Sequence, residues 1–176
     1  ESIQNEFKKG NFDESKRLCL STPNYIRNKD ILNLLGLIEL QSNNVIQAIK
    51  YFKLTLKINP TNVKTLNNIG HLLLRRKKYN SAINFLKKAI ENDKKFFPAY
   101  LNLSIVLKNI KRHEESIQVI KKYLNIENNS FEAYANLGKL YFDIKNYTES
   151  LNHYNKALQI NNRNPLIYYN LGLLFD

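Results

Sequence analysis

The side chains most able to do chemistry are three histidines and one cysteine, and their spacing brings no catalytic group together. His71, His113 and His153 are widely separated, and no spacing places two of them on one face with a carboxylate. The single Cys19 excludes an internal disulfide and a cysteine-based zinc site. No glycine-rich phosphate loop, nucleophile elbow or metal-ligand cluster is present. We therefore expect no catalytic residue, no bound metal and no cofactor, with Cys19 packed as a small apolar residue.

The composition is that of a globular helical protein. Of the 176 residues, 43% are apolar and 24% are charged, which argues against wholesale disorder. Only 5 Gly and 4 Pro are present, too few for the many tight turns of a β-sandwich. No apolar run approaches the ~20 residues of a membrane span. The chain opens at Glu1 and contains no Met, so we expect a fragment of a longer protein, in which the absence of a signal peptide is uninformative. The single cysteine favours an intracellular location.

A fixed period organises the whole sequence. Small residues recur at Gly36, Gly70, Ser104, Gly138 and Gly172, always 34 residues apart. A constant interval of this length is typical of stacked supersecondary units, each too small to bury its apolar face alone. The period therefore predicts a repeat architecture in which the helices of neighbouring units pack together.

Each repeat is expected to hold two helices. In residues 63–96 a first apolar stripe at helical spacing is followed by a basic turn and then a second stripe. Small residues in both stripes would let the two backbones approach. Asn80 or Ser81 is expected to cap the second helix. The two stripes are Leu66, Ile69, Gly70 and Leu73, and then Ala82, Ile83, Leu86, Ala89 and Ile90.

The same frame divides the chain into one array. The N-terminal unit is partial and about one residue short, and the last stops after one helix. The units are 1–28, 29–62, 63–96, 97–130, 131–164 and 165–176.

These residues resemble the tetratricopeptide repeat (TPR) family. That family has a large residue at repeat position 4, Leu at 7, Gly or Ala at 8, Tyr at 11, Ala at 20 and 27, an aromatic at 24 and Pro at 32. Departures are Glu39 at position 11, Thr55 and Tyr123 at position 27, and Pro60 as the single proline at position 32. The resemblance implies an all-α right-handed α-solenoid, with positions 2, 5, 6, 9, 12 and 13 of each first helix lining a concave groove that binds protein segments.

Position 6 of the groove carries a repeated asparagine, which resembles the asparagine ladder of the O-linked N-acetylglucosamine transferase family. An asparagine amide both donates and accepts, so it can pair with the backbone of an extended peptide whatever its sequence. Alternatively, these amides bond only within the fold. The candidate ladder is Asn68, Asn102, Asn136 and Asn170, and the groove residues around it are Lys64, Asn67, His71, Arg75 and Lys139.

A chaperone-type carboxylate clamp is not expected. In the family that clamp needs Lys at position 5 and Asn at position 9, followed by further basic residues in later units. Here position 5 is Asn, Leu, Ala or Tyr, and position 9 is Leu, His, Ile or Lys. Only the central asparagine matches.

Positive charge is concentrated at the turns between helices. The formal net charge is +12, and residues 63–96 contribute +7 from nine basic and two acidic residues. Such an edge could attract an acidic partner, anionic lipid or nucleic acid, or it could simply be a solvated turn in a lysine-rich protein. Aromatic residues are not interleaved with it, so nucleic-acid binding is disfavoured. The basic edge comprises Arg76, Lys77, Lys78, Lys111, Arg112 and Lys145.

The sequence therefore predicts a non-catalytic binding module for a protein or peptide. One alternative is the substrate-presenting part of a larger glycosyl- or sulfotransferase. Another is binding of an acidic partner or nucleic acid by the basic edge. The last helix, in residues 165–176, carries apolar residues without a partner helix, so we expect the array to continue or another domain to pack there, and self-association through this exposed end is the alternative.

Overall fold

The computed structural model describes residues 2–175, which contain eleven α-helices, one short 3-10 helix and no strand. The all-α fold of paired helices expected from the sequence is thereby confirmed. The 3-10 helix is Tyr25–Arg27. The α-helices are α1 (Ser2–Lys8), α2 (Phe12–Ser21), α3 (Lys29–Gln41), α4 (Val45–Ile58), α5 (Val63–Arg75), α6 (Tyr79–Asn92), α7 (Phe97–Asn109), α8 (His113–Leu124), α9 (Phe131–Asp143), α10 (Tyr147–Ile160) and α11 (Pro165–Phe175).

The chain forms two compact units, Glu1–Asn92 and Asp93–Asp176. In the first unit α1 pairs with α2, α3 with α4 and α5 with α6. In the second unit α7 pairs with α8 and α9 with α10, and α11 packs on α10 and α9. Each pair is a helical hairpin, and we call its two members the first and second helix.

Glycines at the fixed period allow the two helices of a hairpin to approach closely. A Cβ added at Gly36 would lie 2.4 Å from the Phe52 ring, and one at Gly70 would lie 2.6 Å from Leu86 Cγ. Both distances are well below the 3.5–4.0 Å of an ordinary carbon–carbon contact. In these two hairpins the large residue of the second helix therefore occupies the space that a side chain on the first helix would need, so glycine is required at Gly36 and Gly70.

Where the second helix crosses the first, three hairpins have serine at the repeat position that is alanine in the other two, Ala48 and Ala82. Buried Ser116 donates to the carbonyl oxygen of Ser104 at 2.9 Å, and the two hydroxyl oxygens are 2.8 Å apart. Ser150 donates to the carbonyl oxygen of Gly138 at 2.8 Å, and Ser15 donates to that of Ile3 at 2.9 Å. Each buried hydroxyl thus has a partner in the opposite helix of its hairpin.

The turns use residues in the left-handed conformation. Asn43, Lys77, Lys111 and Lys145 have φ between +56° and +61°, and each lies between the two helices of a hairpin. Because the turn ends so soon after Lys77, α6 begins at Tyr79. Asn80 and Ser81 are therefore inside the first turn of α6, so the expectation that either caps this helix from outside is wrong.

The core of the first unit contains Cys19, which is completely buried among Leu32, Leu35 and Ile38. Burial raises the pKa of its thiol to about 11, so Cys19 behaves as the small apolar residue expected. Glu39, at the position where the family has tyrosine, is 2% exposed and forms an ion pair with Lys16 at 2.8 Å. Its charge is therefore partly compensated by a lysine from α2.

Candidate functional site

A cleft lies between two consecutive first helices, α1 and α3, in the first unit. It encloses about 350 Å³. Its walls combine charged, amide and apolar side chains, which suits a peptide that offers both polar and apolar groups. We call it the α1/α3 cleft. It is lined by Gln4, Phe7, Lys8, Asp30, Asn33, Leu34 and Leu37.

Helical spacing brings these residues to one side. On α3 they recur at intervals of three and four residues, which places them on one face of the helix. Asn33 is held in place because its Oδ1 accepts a hydrogen bond from Thr65 Oγ1 of α5 at 2.9 Å. Gln4, Phe7 and Lys8 were not predicted, since α1 lacks the glycine of the period. Their own spacing of three and four residues was the available signal.

A smaller cleft lies between α7 and α9 in the second unit, with a volume of about 20 Å³. Two of the predicted groove residues, Asn136 and Lys139 of α9, line it. Lys108 is 3.4 Å from Asp143 Oδ2, and this ion pair joins the two helices beside the cleft. We call it the α7/α9 cleft. It is lined by Ser104, Ile105, Lys108, Asn136, Lys139 and Leu140.

The predicted asparagines lie at the same position of successive first helices. In the second unit Asn102, Asn136 and Asn170 are half-buried on α7, α9 and α11, and α9 contacts both other helices. Asn136 Nδ2 donates to the Glu132 carbonyl of its own helix at 2.7 Å. One amide proton of Asn136 is therefore used internally. Its carbonyl oxygen remains the group by which it would accept a hydrogen bond from a peptide N–H.

The remaining predicted groove residues lie on α5 in the first unit, where Asn68 is half-buried. Lys64, His71 and Arg75 are exposed. Partial desolvation and the nearby Arg75 guanidinium lower the pKa of His71, so at neutral pH the ring is an uncharged donor and acceptor. Asn67 is buried, and both Asn67 and Asn102 are engaged in an interaction within the chain. Asn67 is therefore less exposed than its neighbour Asn68, and its role as a groove residue stays a prediction.

The basic edge is exposed in both units. Arg76, Lys77 and Lys78 form the turn between α5 and α6. In the second unit Arg112, which directly precedes α8, forms an ion pair with Glu115 of that helix and is less available to an acidic partner. The other two members, Lys111 and Lys145, are exposed turn residues.

A buried histidine lies between two aromatic rings in the second unit. The ring of His153 is stacked on Tyr141, with centroids 5.3 Å apart, and is 6.0 Å from Tyr134. Burial lowers its pKa, and the nearby ammonium groups of Lys156 on α10 and Lys121 on α8 add to this, while Glu149, 3.6 Å away, opposes it. Since Nδ1 is buried without a hydrogen-bond partner, the neutral ring packs as an aromatic residue.

No cluster of three or more His, Cys, Asp or Glu that could hold a metal ion occurs among residues 2–175. Within the same residues, every helix is too short or too polar to cross a membrane.

Tandem helical hairpins with a small residue, glycine or serine, at the repeated crossing position define an α-helical repeat protein. Three models of the tetratricopeptide repeat match the chain, over residues 30–62, 73–140 and 138–175. Together they cover most of the sequence, and the chain belongs to the tetratricopeptide repeat family. None of the curated proteins matches it.

Several solved structures share this fold. The crystal structure of MamA has a TM-score of 0.78 and 22% identity, over 93% of this chain and 96% of MamA. PilF of Pseudomonas aeruginosa has a TM-score of 0.77 and 19% identity, over 94% of this chain and 76% of its own. The hetero-tetramer Cut9–Hcn1 of the APC/C has a TM-score of 0.77 and 16% identity, over 99% of this chain and 35% of the other. At these identities the likeness concerns the fold.

Proposed function

We propose that this chain is a protein-interaction module that binds a segment of a partner protein along its first helices. The observation that carries the proposal is the position of the α1/α3 cleft; the α7/α9 cleft marks the equivalent place in the second unit, although its volume of about 20 Å³ admits only a water-sized group. The α1/α3 cleft and the α7/α9 cleft are in different units, yet each lies between consecutive first helices. In this family the same helices form the groove expected to hold a protein segment.

The chemistry of the clefts indicates the kind of segment. Phe7, Leu34 and Leu37 offer an apolar wall in the α1/α3 cleft, beside the charged groups of Lys8 and Asp30. A segment with one apolar side chain flanked by polar groups would fit this mixture.

Backbone pairing would supply the sequence-independent part of the affinity. In the second unit we assign this role to Asn102 and Asn136, with Asn170 next along the same row and Lys139 beside it. Amide side chains in a row match the regular N–H and C=O groups of an extended peptide. The self-association expected at α11 stays a separate prediction.

The test uses extended peptides selected against the complete chain from a displayed random library. Their dissociation constants are compared for the chain, for Asn102→Ala/Asn136→Ala, and for the control Asn152→Ala/Asn155→Ala. The control removes two exposed asparagines from the second helix α10. The proposal requires weaker binding in the first variant alone. Equal affinities for all three proteins would refute it.

A further inference from the structure

A second candidate surface lies on α4, away from the first helices. One shallow hollow of about 450 Å³ is lined by six residues of α4. Five of them follow the first by 3, 4, 7, 8 and 11 positions, so all six lie on one face of the helix. Ile46 is 72% exposed, more than any other large apolar side chain recorded in the described residues. We call this surface the α4 face. Its residues are Ile46, Ile49, Lys50, Lys53, Leu54 and Lys57.

The α4 face differs from the equivalent surface of every other complete repeat. One repeat period after Ile46, the aligned residues are Asn80, then Glu114, then Thr148, all polar. The residue aligned with Lys57 on α6 is Glu91. An exposed isoleucine among three lysines is therefore specific to α4 and does not follow from the repeat itself.

The charge of the α4 face is uncompensated. Lys50, Lys53 and Lys57 are exposed, and α4 contains no acidic residue. Within residues 2–175 none of these three lysines forms an ion pair. Their intervals of three and four residues would match carboxylates at the same intervals on a facing helix.

We propose that the α4 face binds an acidic amphipathic helix of a partner protein. An apolar side chain of that helix would enter the hollow against Ile46, Ile49 and Leu54, while flanking carboxylates pair with the lysines. A protein helix is favoured over a membrane because Ile46 is the single strongly exposed apolar side chain of this face, and it stands at the rim of a hollow. Membrane-surface helices instead present a continuous apolar face. This surface is distinct from the first-helix clefts, so the inference does not depend on the proposed function.

The probe is a fluorescein-labelled helical peptide with leucines on one face and glutamates on both flanks, measured by fluorescence anisotropy with the complete chain. A scrambled peptide of equal composition controls for charge alone. We expect affinity to fall about tenfold or more in Ile46→Asn and in Lys50→Glu/Lys53→Glu/Lys57→Glu. A peptide with lysine in place of glutamate should bind the charge-reversed variant, a gain that misfolding could not produce.

The matched control is Lys87→Glu/Lys88→Glu on α6, where both lysines are exposed. It should leave binding unchanged. Equal weakening by this control, equal binding of the scrambled peptide, or no binding by the unmodified chain would overturn the proposal. Co-sedimentation with phosphatidylserine vesicles that is lost in the α4 variants, with no peptide binding, would also overturn it and indicate a membrane-surface role.

Discussion

Replacing Gly138 with alanine should destabilise the second unit, although alanine is the better helix former. The new Cβ would lie 2.5 Å, 2.6 Å and 2.9 Å from three ring atoms of Tyr154. This is about 1 Å inside an ordinary contact. Tyr154 is 1% exposed and packs with Ala157 and Ile167, so its ring has little room to move. Overpacking typically costs about 1–3 kcal/mol, and three overlapping ring atoms place this site in the upper part of that range, about 2–3 kcal/mol. Alanine regains about 1 kcal/mol of helix propensity, so we expect a net loss of about 1–2 kcal/mol.

Gly172 provides a matched control at the same repeat position. An added Cβ there meets nothing within 4 Å. Gly172→Ala should therefore stabilise by up to about 0.5 kcal/mol, because the gain in helix propensity is reduced near the end of α11. Urea unfolding followed by circular dichroism compares both variants with the unmodified chain. The reasoning is refuted if Gly138→Ala is as stable as the unmodified chain, or if both variants shift the unfolding midpoint in the same direction.

Three further predictions concern stability. Ser116→Ala should lower the free energy of unfolding by about 1–3 kcal/mol because Ser104 loses its buried hydrogen-bond partner. The double variant Ser104→Ala/Ser116→Ala should recover part of that loss. Urea unfolding of the single and double variants measures the coupling, and additive losses would contradict it. The pKa of His153 is lowered in the folded state, so the unfolded chain takes up a proton at this residue at a higher pH than the folded chain. The stability that neutral His153 contributes is therefore complete above about pH 6.5 and declines as the pH falls. His153→Phe should therefore flatten the loss of thermal stability between neutral and acidic pH, and an unchanged slope would argue against it. Lys111→Gly should raise the free energy of unfolding by about 0.5–1 kcal/mol, because glycine adopts the left-handed conformation of this turn without strain. Lys122→Gly inside α8 should lower it by about 1 kcal/mol. Thermal unfolding of the two variants tests the contrast.

The hairpins could be predicted from sequence because close packing of two helices restricts the residue type at the crossing. Gly36, Gly70 and Gly138 mark crossings where an added Cβ would overlap Phe52, Leu86 or Tyr154. That steric requirement recurs in the α3/α4, α5/α6 and α9/α10 hairpins, and Ser104 occupies the same position in the α7/α8 hairpin, so a small residue appears there as a period in the sequence. Local hydrogen bonding leaves a weaker trace. The start of α6 at Tyr79 depended on the turn conformation at Lys77, which residue type alone does not indicate.

The candidate site was less predictable, because surface geometry depends on several helices together. Family positions predicted Asn136 and Lys139 as groove residues, and both line the α7/α9 cleft. They did not show that Asn136 donates to the carbonyl of Glu132. The α1/α3 cleft was missed because the helix that supplies Phe7 has no repeat signature. Whether the asparagine row contacts a ligand stays a prediction.

The most direct test of the central claim is capture of partners from a lysate of the source organism. The complete chain, Asn102→Ala/Asn136→Ala and the α10 control Asn152→Ala/Asn155→Ala are used side by side, with captured proteins identified by mass spectrometry. Circular dichroism verifies that all three proteins fold alike. We expect a set of proteins that the chain and the α10 control capture equally and that the first-helix variant loses. Equal capture by all three would contradict recognition along the first helices.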